Sequence, residues 1–351
     1  MTLKYERKKV VIIIPYFGKL PNYFSLWLES VRNNPQINVI FLTDNDKLLS
    51  CPSNIKWIVT TLSTVKARAQ KLIDFPITLN SPYKLVDYKP LYGEMFSNYI
   101  SGYDWWGWGD IDTIWGNLSL ILNETNLNKY DKILDLGHLT LMRNNIVMKK
   151  LWSKSVSGAW TYKDAFRSDL IYHFDEGGGM AFISQKLGYK VYSENAGKMN
   201  FADILPNKPD FRLAFDNINL KRRYVFTWKN GILTGYWDDG DKIKHREFAY
   251  IHLQKRKMSV LVDSQKMDKG ILIIPNGFVP LDNKSITPNL IQKKVLLSTD
   301  PISKLSISQR IIFHIKYFYK KRELSVKREK FQLMEMKFIL ILKLLNIRLC
   351  N

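Results

Sequence analysis

Two carboxylates one residue apart, Asp110 and Asp112, follow directly on the aromatic run Trp105-Trp106-Gly107-Trp108-Gly109. In an α/β sheet, ligands bind beyond the carboxyl ends of the strands. Two carboxylates placed there can share a hard divalent cation such as Mg²⁺ or Mn²⁺, which in turn holds a diphosphate. The glycines let the backbone approach a ligand closely. An isolated Asp-x-Asp is also common as a surface turn with two solvated aspartates, so the setting decides between the two readings.

Other segments carry residue types that could join such a site. In Phe174-Asp175-Glu176-Gly177-Gly178-Gly179-Met180, adjacent carboxylates precede three glycines. Asp175 or Glu176 could act there as general base on an acceptor hydroxyl, or Asp175 could simply cap a helix. In His245 to Lys257, His252 ends an apolar run and could be a further metal ligand, while Lys255 and Arg256 could hold phosphate. A lone histidine is as readily a hydrogen-bonded core residue. In Tyr83 to Pro90, Lys84 and Lys89 could meet a nucleotide diphosphate as point charges, or belong to a charged loop leading into a helix. Gly137-His138 and Arg143-Asn144 could touch sugar hydroxyls, with a structural role equally open to His138.

The elements that must position these residues are legible as hydrophobic patterns. Val10 to Ile14, ended by Pro15, is a continuous apolar, β-branched run and predicts a buried central strand. Tyr23 to Val31 has helical spacing, Asn38 to Thr43 predicts a second buried strand and Ile55 to Val59 a third, and Thr64 to Leu72 reads as helix. This order starts an α/β fold with a parallel sheet covered on both faces. Pro90 to Tyr99 predicts a helix with proline in its first turn, Tyr103 to Trp108 a strand leading into Asp110, and Ile133 to Leu136 another strand. Lys229-Asn230-Gly231 between Tyr224–Trp228 and Ile232–Trp237 is a hairpin signal, and Phe248 to Leu253 reads as one strand.

The chain has 351 residues, with 53 Lys and Arg against 32 Asp and Glu, a formal charge of +21. Such a balance points to an anionic partner: nucleic acid, acidic lipid or phosphorylated substrate. Residues 301–351 hold twelve Lys or Arg and three Glu, a net +9 on an amphipathic pattern. A tail of this kind suits an anionic membrane surface, or a helical appendage packed on the main domain. The two cysteines, Cys51 and Cys350, exclude a disulfide framework and a cysteine zinc site and fit a reduced, cytosolic protein. No signal peptide and no run of about 18 apolar residues is expected to direct secretion or membrane spanning. The chain contains no nucleophile elbow, no Walker loop and no dinucleotide fingerprint after the first strand.

In order along the chain, Ile14-Pro15-Tyr16-Phe17-Gly18-Lys19-Leu20-Pro21, Phe41-Leu42-Thr43-Asp44-Asn45, Tyr83-Lys84-Leu85-Val86-Asp87-Tyr88-Lys89-Pro90, Trp106-Gly107-Trp108-Gly109-Asp110-Ile111-Asp112, Gly137-His138-Leu139-Thr140 and Tyr250-Ile251-His252-Leu253-Gln254-Lys255-Arg256 resemble a family of bacterial GT-A-type glycosyltransferases of capsule and surface-polysaccharide (lipopolysaccharide) synthesis. The ordered set, rather than any one motif, carries the resemblance, over roughly residues 10–258. It implies a GT-A-like α/β fold, a mixed, mostly parallel sheet flanked by helices, with a catalytic domain at 1–285; the basic helical tail at 286–351 is not covered by the resemblance and is read from its charge and spacing alone. The nucleotide-binding half would run to about residue 115 and the acceptor half from about 116 to 285.

The resemblance further implies a hexosyltransferase-type enzyme that uses a nucleotide-diphospho-sugar donor such as a UDP-sugar, a glycan or lipid-linked glycan acceptor, and Mn²⁺ or Mg²⁺. It would work in the cytoplasm, at the inner face of the membrane. In that frame Pro15, Tyr16 and Phe17 border the nucleotide, Asp44 faces its base or ribose, and Lys84 and Asp87 sit beside it. Asp110 approaches ribose and metal, Asp112 binds the metal, His252 is a third ligand, and Asp175 or Glu176 lies on the acceptor side, where it would be the base of an inverting enzyme; a retaining enzyme would need no base there, and the sequence leaves both open. A nucleic-acid-binding protein would share the basic charge but spread it along a groove with exposed aromatics. A sugar-nucleotide nucleotidyltransferase would share the metal but need a Gly-rich basic loop after the first strand.

Overall fold

The computed structural model describes residues 8–193, 200–206, 208–215, 222–240, 242–281 and 285–295. Its strands, in chain order, are β1 (Val10–Tyr16), β2 (Ile37–Thr43), β3 (Ile55–Val59), β4 (Trp105–Gly109), β5 (Thr113–Trp115), β6 (Lys132–Leu136), β7 (Leu139–Arg143), β8 (Val191–Tyr192), β9 (Ala202–Asp203), β10 (Tyr224–Lys229), β11 (Ile232–Asp238), β12 (Ile243–Phe248), β13 (Tyr250–His252), β14 (Ser259–Val260), β15 (Ile271–Ile274) and β16 (Gly277–Pro280). Helices α1 (Phe24–Arg32) and α2 (Leu62–Gln70) join the first strands.

The central sheet has the order β3-β2-β1-β4-β7-β6-β8. The β3-β2-β1-β4 block is parallel, and β7 then runs antiparallel to β4. The continuous apolar run of β1 is explained by burial on both faces. Val11 and Ile13 pack into one core with Ile40, Leu42 and Val65, whereas Val10, Ile12 and Ile14 pack into the other with Phe24, Trp27 and Phe41. Gly107 of β4 is fixed by space, since a Cβ there would meet the Thr140 carbonyl oxygen at 2.0 Å.

A second, antiparallel sheet has the order β12-β11-β10-β15-β16-β14. Its β10–β11 hairpin turns at Asn230 (φ 50°) and Gly231 (φ 78°), the left-handed pair that an Asn-Gly turn requires. Phe226 and Trp228 of β10 pack with Tyr23 and Leu26 at the start of α1. On the opposite face Val225 meets Ile291 of the helix Pro288–Val295.

Two expected elements are broken. The helix expected over 90–99 is a turn at Lys89–Leu91 followed by short helices Tyr92–Met95 and Ser97–Ile100, interrupted at Phe96. The single strand expected from Phe248 to Leu253 is split at Ala249. β12 ends in the second sheet, whereas β13 pairs with β5 and β9 in a separate three-stranded sheet. That change of sheet carries His252 to the far end of β4. Among the described residues no helix is long and apolar enough to cross a membrane. The amphipathic tail from residue 301 lies outside the described residues.

Candidate functional site

Beyond the carboxyl end of β4 the chain makes a short, internally bonded turn. The Asp110 amide donates to the His138 carbonyl (3.1 Å) and Thr113 Oγ1 donates to the Asp110 carbonyl (2.8 Å). The turn presents Asp112, which is buried. Its Oδ2 accepts the Lys255 amide (2.7 Å) and faces His252 Nε2 at 3.5 Å. The other ring nitrogen, Nδ1, lies 2.8 Å from Asp203 Oδ1, which also accepts from Gln254 Nε2 (2.8 Å). Asp203 is delivered by strand pairing, opposite His252 in the parallel β13–β9 register.

Potential ligand atoms of Asp110, Asp112 and His252 all lie within 4.8 Å of one another, as do those of His138, Asp203 and His252. The His138 ring stacks on His252 with centroids 4.1 Å apart, and its Nε2 is buried without a hydrogen-bond partner among the described residues.

The charges of this cluster are interdependent. Burial disfavours the His252 cation, but Asp112 on one ring nitrogen and Asp203 on the other outweigh it and raise its pKa. Burial likewise disfavours the Asp112 anion, but His252 and the Lys255 amide reverse the balance and lower its pKa. His138, buried beside His252 and Lys89, is pushed well below the ordinary histidine range and is neutral. Gln254 and Lys255 both have positive φ, 54° and 55°. Two consecutive non-glycine residues in that region store backbone strain, here at the turn that aims the Lys255 amide at Asp112.

Lys89 joins this cluster to the Asp175 segment. Its buried ammonium donates to Asp110 Oδ1 (2.7 Å) and the Gly137 carbonyl (2.8 Å), and lies 3.5 Å from Asp175 Oδ2. Asp175 is 1% exposed and its Oδ1 has no hydrogen-bond partner among the described residues. Burial pushes this carboxyl up to about 7, against the pull of Lys89 and with the repulsion of Glu176. Glu176 is held differently. Its burial is outweighed by His173 Nδ1 at 3.3 Å and by the Gly137 amide at 3.0 Å, so its pKa is lowered. Gly137 is obligatory here, because a Cβ would come within 2.8 Å of Asp175 Oδ2.

The structure thus brings Asp110, Asp112, His138, His252, Asp175 and Glu176 together. Other expected contacts are corrected. Lys84 and Asp87 do not face a nucleotide. Lys84 is fully buried, donating to Asp87 (2.7 Å) and to the Ala165 and Leu170 carbonyls, while Asp87 accepts the amides of Tyr172 and Phe174. This pair holds the segment that leads to Asp175. Arg256 donates to the carbonyls of Leu205, Lys208 and Pro209 and covers Phe211, which makes it a tie for that loop rather than a phosphate contact. Phe17 is a core residue beside Val11 and Leu79.

Pro15 and Tyr16 end β1. Burial raises the Tyr16 pKa, with help from the charges of Asp112 and Asp44, and the phenol donates to the Lys19 carbonyl (2.8 Å). Asp44 is exposed and accepts the Gly18 amide (2.9 Å). Lys255 contributes its backbone to Asp112 and lays its exposed side chain over Tyr83.

Sequence reasoning missed Asp203, which no local pattern marks because only the β13–β9 register places it. Lys89 was weighed as a diphosphate contact, whereas the fold turns it inward between two carboxylates. The model of DUF6625, a family of unknown function, matches residues 12–282. No curated protein matches the chain.

Proposed function

The chain belongs to the DUF6625 family, and since that family has no assigned function, we propose from the chemistry of the site that the protein is a metal-dependent glycosyltransferase of GT-A type. In this reading it moves a sugar from a nucleotide-diphospho-sugar, such as a UDP-sugar, to a hydroxyl of a glycan or lipid-linked glycan in surface-polysaccharide synthesis. The observation that carries the reading is the group of half-buried Asp110 with buried Asp112 and His252 beyond the carboxyl end of β4. The mixed, mostly parallel sheet flanked by helices is what the sequence resemblance implies for such an enzyme.

The donor set fits a divalent ion. One oxygen of each carboxylate, Asp110 Oδ2 and Asp112 Oδ1, takes no partner among the described residues. His252 is backed by Asp203, the carboxylate–histidine arrangement that orients a ligating imidazole. Mn²⁺ accepts such a mixed oxygen and nitrogen set, as Mg²⁺ also can through its oxygens. A bound ion would supply charge stabilisation for the departing diphosphate.

The chain's own residues do the rest. Lys89 fixes Asp110 and brings positive charge to the same end of the sheet. An acceptor hydroxyl entering opposite the diphosphate forms the new C–O bond at the anomeric carbon as the sugar–phosphate bond breaks, and its proton needs a base. Asp175, held near 7 by burial, has a proton affinity suited to that task. The basic segment 301–351 would hold the enzyme at an anionic membrane surface, on the cytoplasmic face where nucleotide sugars are supplied.

The test is UDP release from UDP-sugars with Mn²⁺, together with Mn²⁺ binding by calorimetry, for wild type and Asp112→Asn. Both signals are expected to fall at least 100-fold in the variant while the fold is retained. Unchanged Mn²⁺ binding and turnover would refute the assignment.

A further inference from the structure

Tyr83 lies in the single turn Pro82–Lys84 and is 46% exposed. It stands on rigid ground, because the next residue, Lys84, is locked by three buried hydrogen bonds. The edge of its ring meets His173 at 6.4 Å, nearly perpendicular, and His173 pairs with Glu176 next to Asp175. Over one face lies Lys255 Nζ, 3.6 Å from the ring centre, while the Lys255 amide is bonded to Asp112. A fixed, exposed aromatic ring therefore stands at the rim between the Asp112 and Asp175 clusters, with the ammonium of the exposed Lys255 over one face.

Resting on the reading proposed above, we infer that Tyr83 is the platform on which a ring of the acceptor saccharide stacks, and that Lys255 covers this platform until a diphosphate draws it away. The negative face of an aromatic ring attracts a cation through its quadrupole. The polarised C–H groups on the apolar face of a pyranose meet the same face in the same way. A sugar ring lying on Tyr83 would have its hydroxyls beside Glu176 and Asp175, on the acceptor side of the site. Lys255 cannot hold the ring face and a diphosphate at once. Donor phosphate near Asp112 offers its ammonium a charged partner, which a tyrosine face does not match. Binding of donor then uncovers the acceptor platform, so donor binds before acceptor.

The probes are methyl β-glucopyranoside and methyl β-galactopyranoside, followed by saturation-transfer NMR on the full chain, with UDP binding titrated separately by calorimetry. Wild type and Tyr83→Phe are expected to transfer saturation to the glycoside ring protons, more strongly once UDP and Mn²⁺ are present. Tyr83→Ala is expected to lose the transfer at least tenfold with its circular dichroism unchanged. Lys255→Gln is expected to show the stronger transfer without UDP. Equal transfer from wild type and Tyr83→Ala, or no transfer from wild type to either glycoside, overturns the platform. Transfer from Lys255→Gln that matches wild type without UDP overturns the covering role. Absence of UDP binding sinks the transferase reading separately and leaves the saccharide result to stand by itself.

Discussion

Replacing Asp175 by asparagine is expected to stabilise the protein at alkaline pH while removing its turnover. The carboxyl is 1% exposed, and its pKa is pushed from 3.8 up to about 7, chiefly by burial. The folded state therefore binds this proton more tightly than the unfolded chain does. The corresponding stability is fully present below pH 3.8 and is lost as pH rises through about 7. At 1.36 kcal/mol per pKa unit the full window is worth about 4 kcal/mol, of which about 2–3 kcal/mol falls between pH 5 and pH 8.

Asparagine keeps the shape and never ionises, so its curve lacks this loss. Groups common to both proteins cancel when the two are compared. Urea unfolding followed by tryptophan fluorescence, at pH 5 and pH 8, measures the effect. The stability of Asp175→Asn relative to wild type is expected to rise by about 2–3 kcal/mol over that interval. UDP release is expected to fall by about 10²–10⁴-fold, the scale of a lost general base. Parallel pH profiles for the two proteins would refute the reasoning, because they would mean that Asp175 ionises in the folded state as easily as in water.

Asp203→Asn removes the negative charge of the acceptor behind His252 Nδ1 and is expected to weaken Mn²⁺ binding by about 10–100-fold, read by calorimetry. Lys84→Met leaves the buried Asp87 carboxylate without its ammonium and is expected to cost about 3–5 kcal/mol in urea unfolding; a loss below about 1 kcal/mol, the range of exposed pairs, would contradict the burial of that pair. Gly137→Ala forces a methyl against Asp175 Oδ2 and is expected to lower kcat far more than Mn²⁺ affinity, since the crowding falls on the Asp175 side of Lys89.

The sheet was legible where burial leaves a one-dimensional mark. Val10 to Ile14 and Asn38 to Thr43 are apolar without alternation because both of their faces are covered, and the Asn230-Gly231 turn has its own backbone chemistry. The Asp110 and Asp112 pair was legible because it follows such a strand. What was not legible depends on pairing between distant segments. Phe248 to Ile251 is a continuous apolar run, so nothing in it announces that the chain changes sheets at Ala249. Asp203 acquires its role only through its register against His252. Lys84 and Lys89 are five residues apart in one charged stretch, yet one closes a structural clamp and the other enters the site. A charged residue reads alike in sequence whether its partner is a substrate, a carbonyl or a buried acid.

The arrangement of charge explains why those two lysines diverge. A chain with a net +21 gathers Asp110, Asp112, Asp203, Asp175 and Glu176 around one end of its central sheet. Carboxylates so close to one another repel unless cations stand between them. Lys89 stands between Asp110 and Asp175, and His252 between Asp112 and Asp203. These two cations are not equivalent. The lysine carries its charge at any pH the fold tolerates, so its link between the two halves of the site is permanent. The imidazole carries its charge as a removable proton, and to serve as a ligand it must be neutral. The proton on His252 therefore holds Asp112 and Asp203 together, in the place that a divalent ion would take under the proposed function.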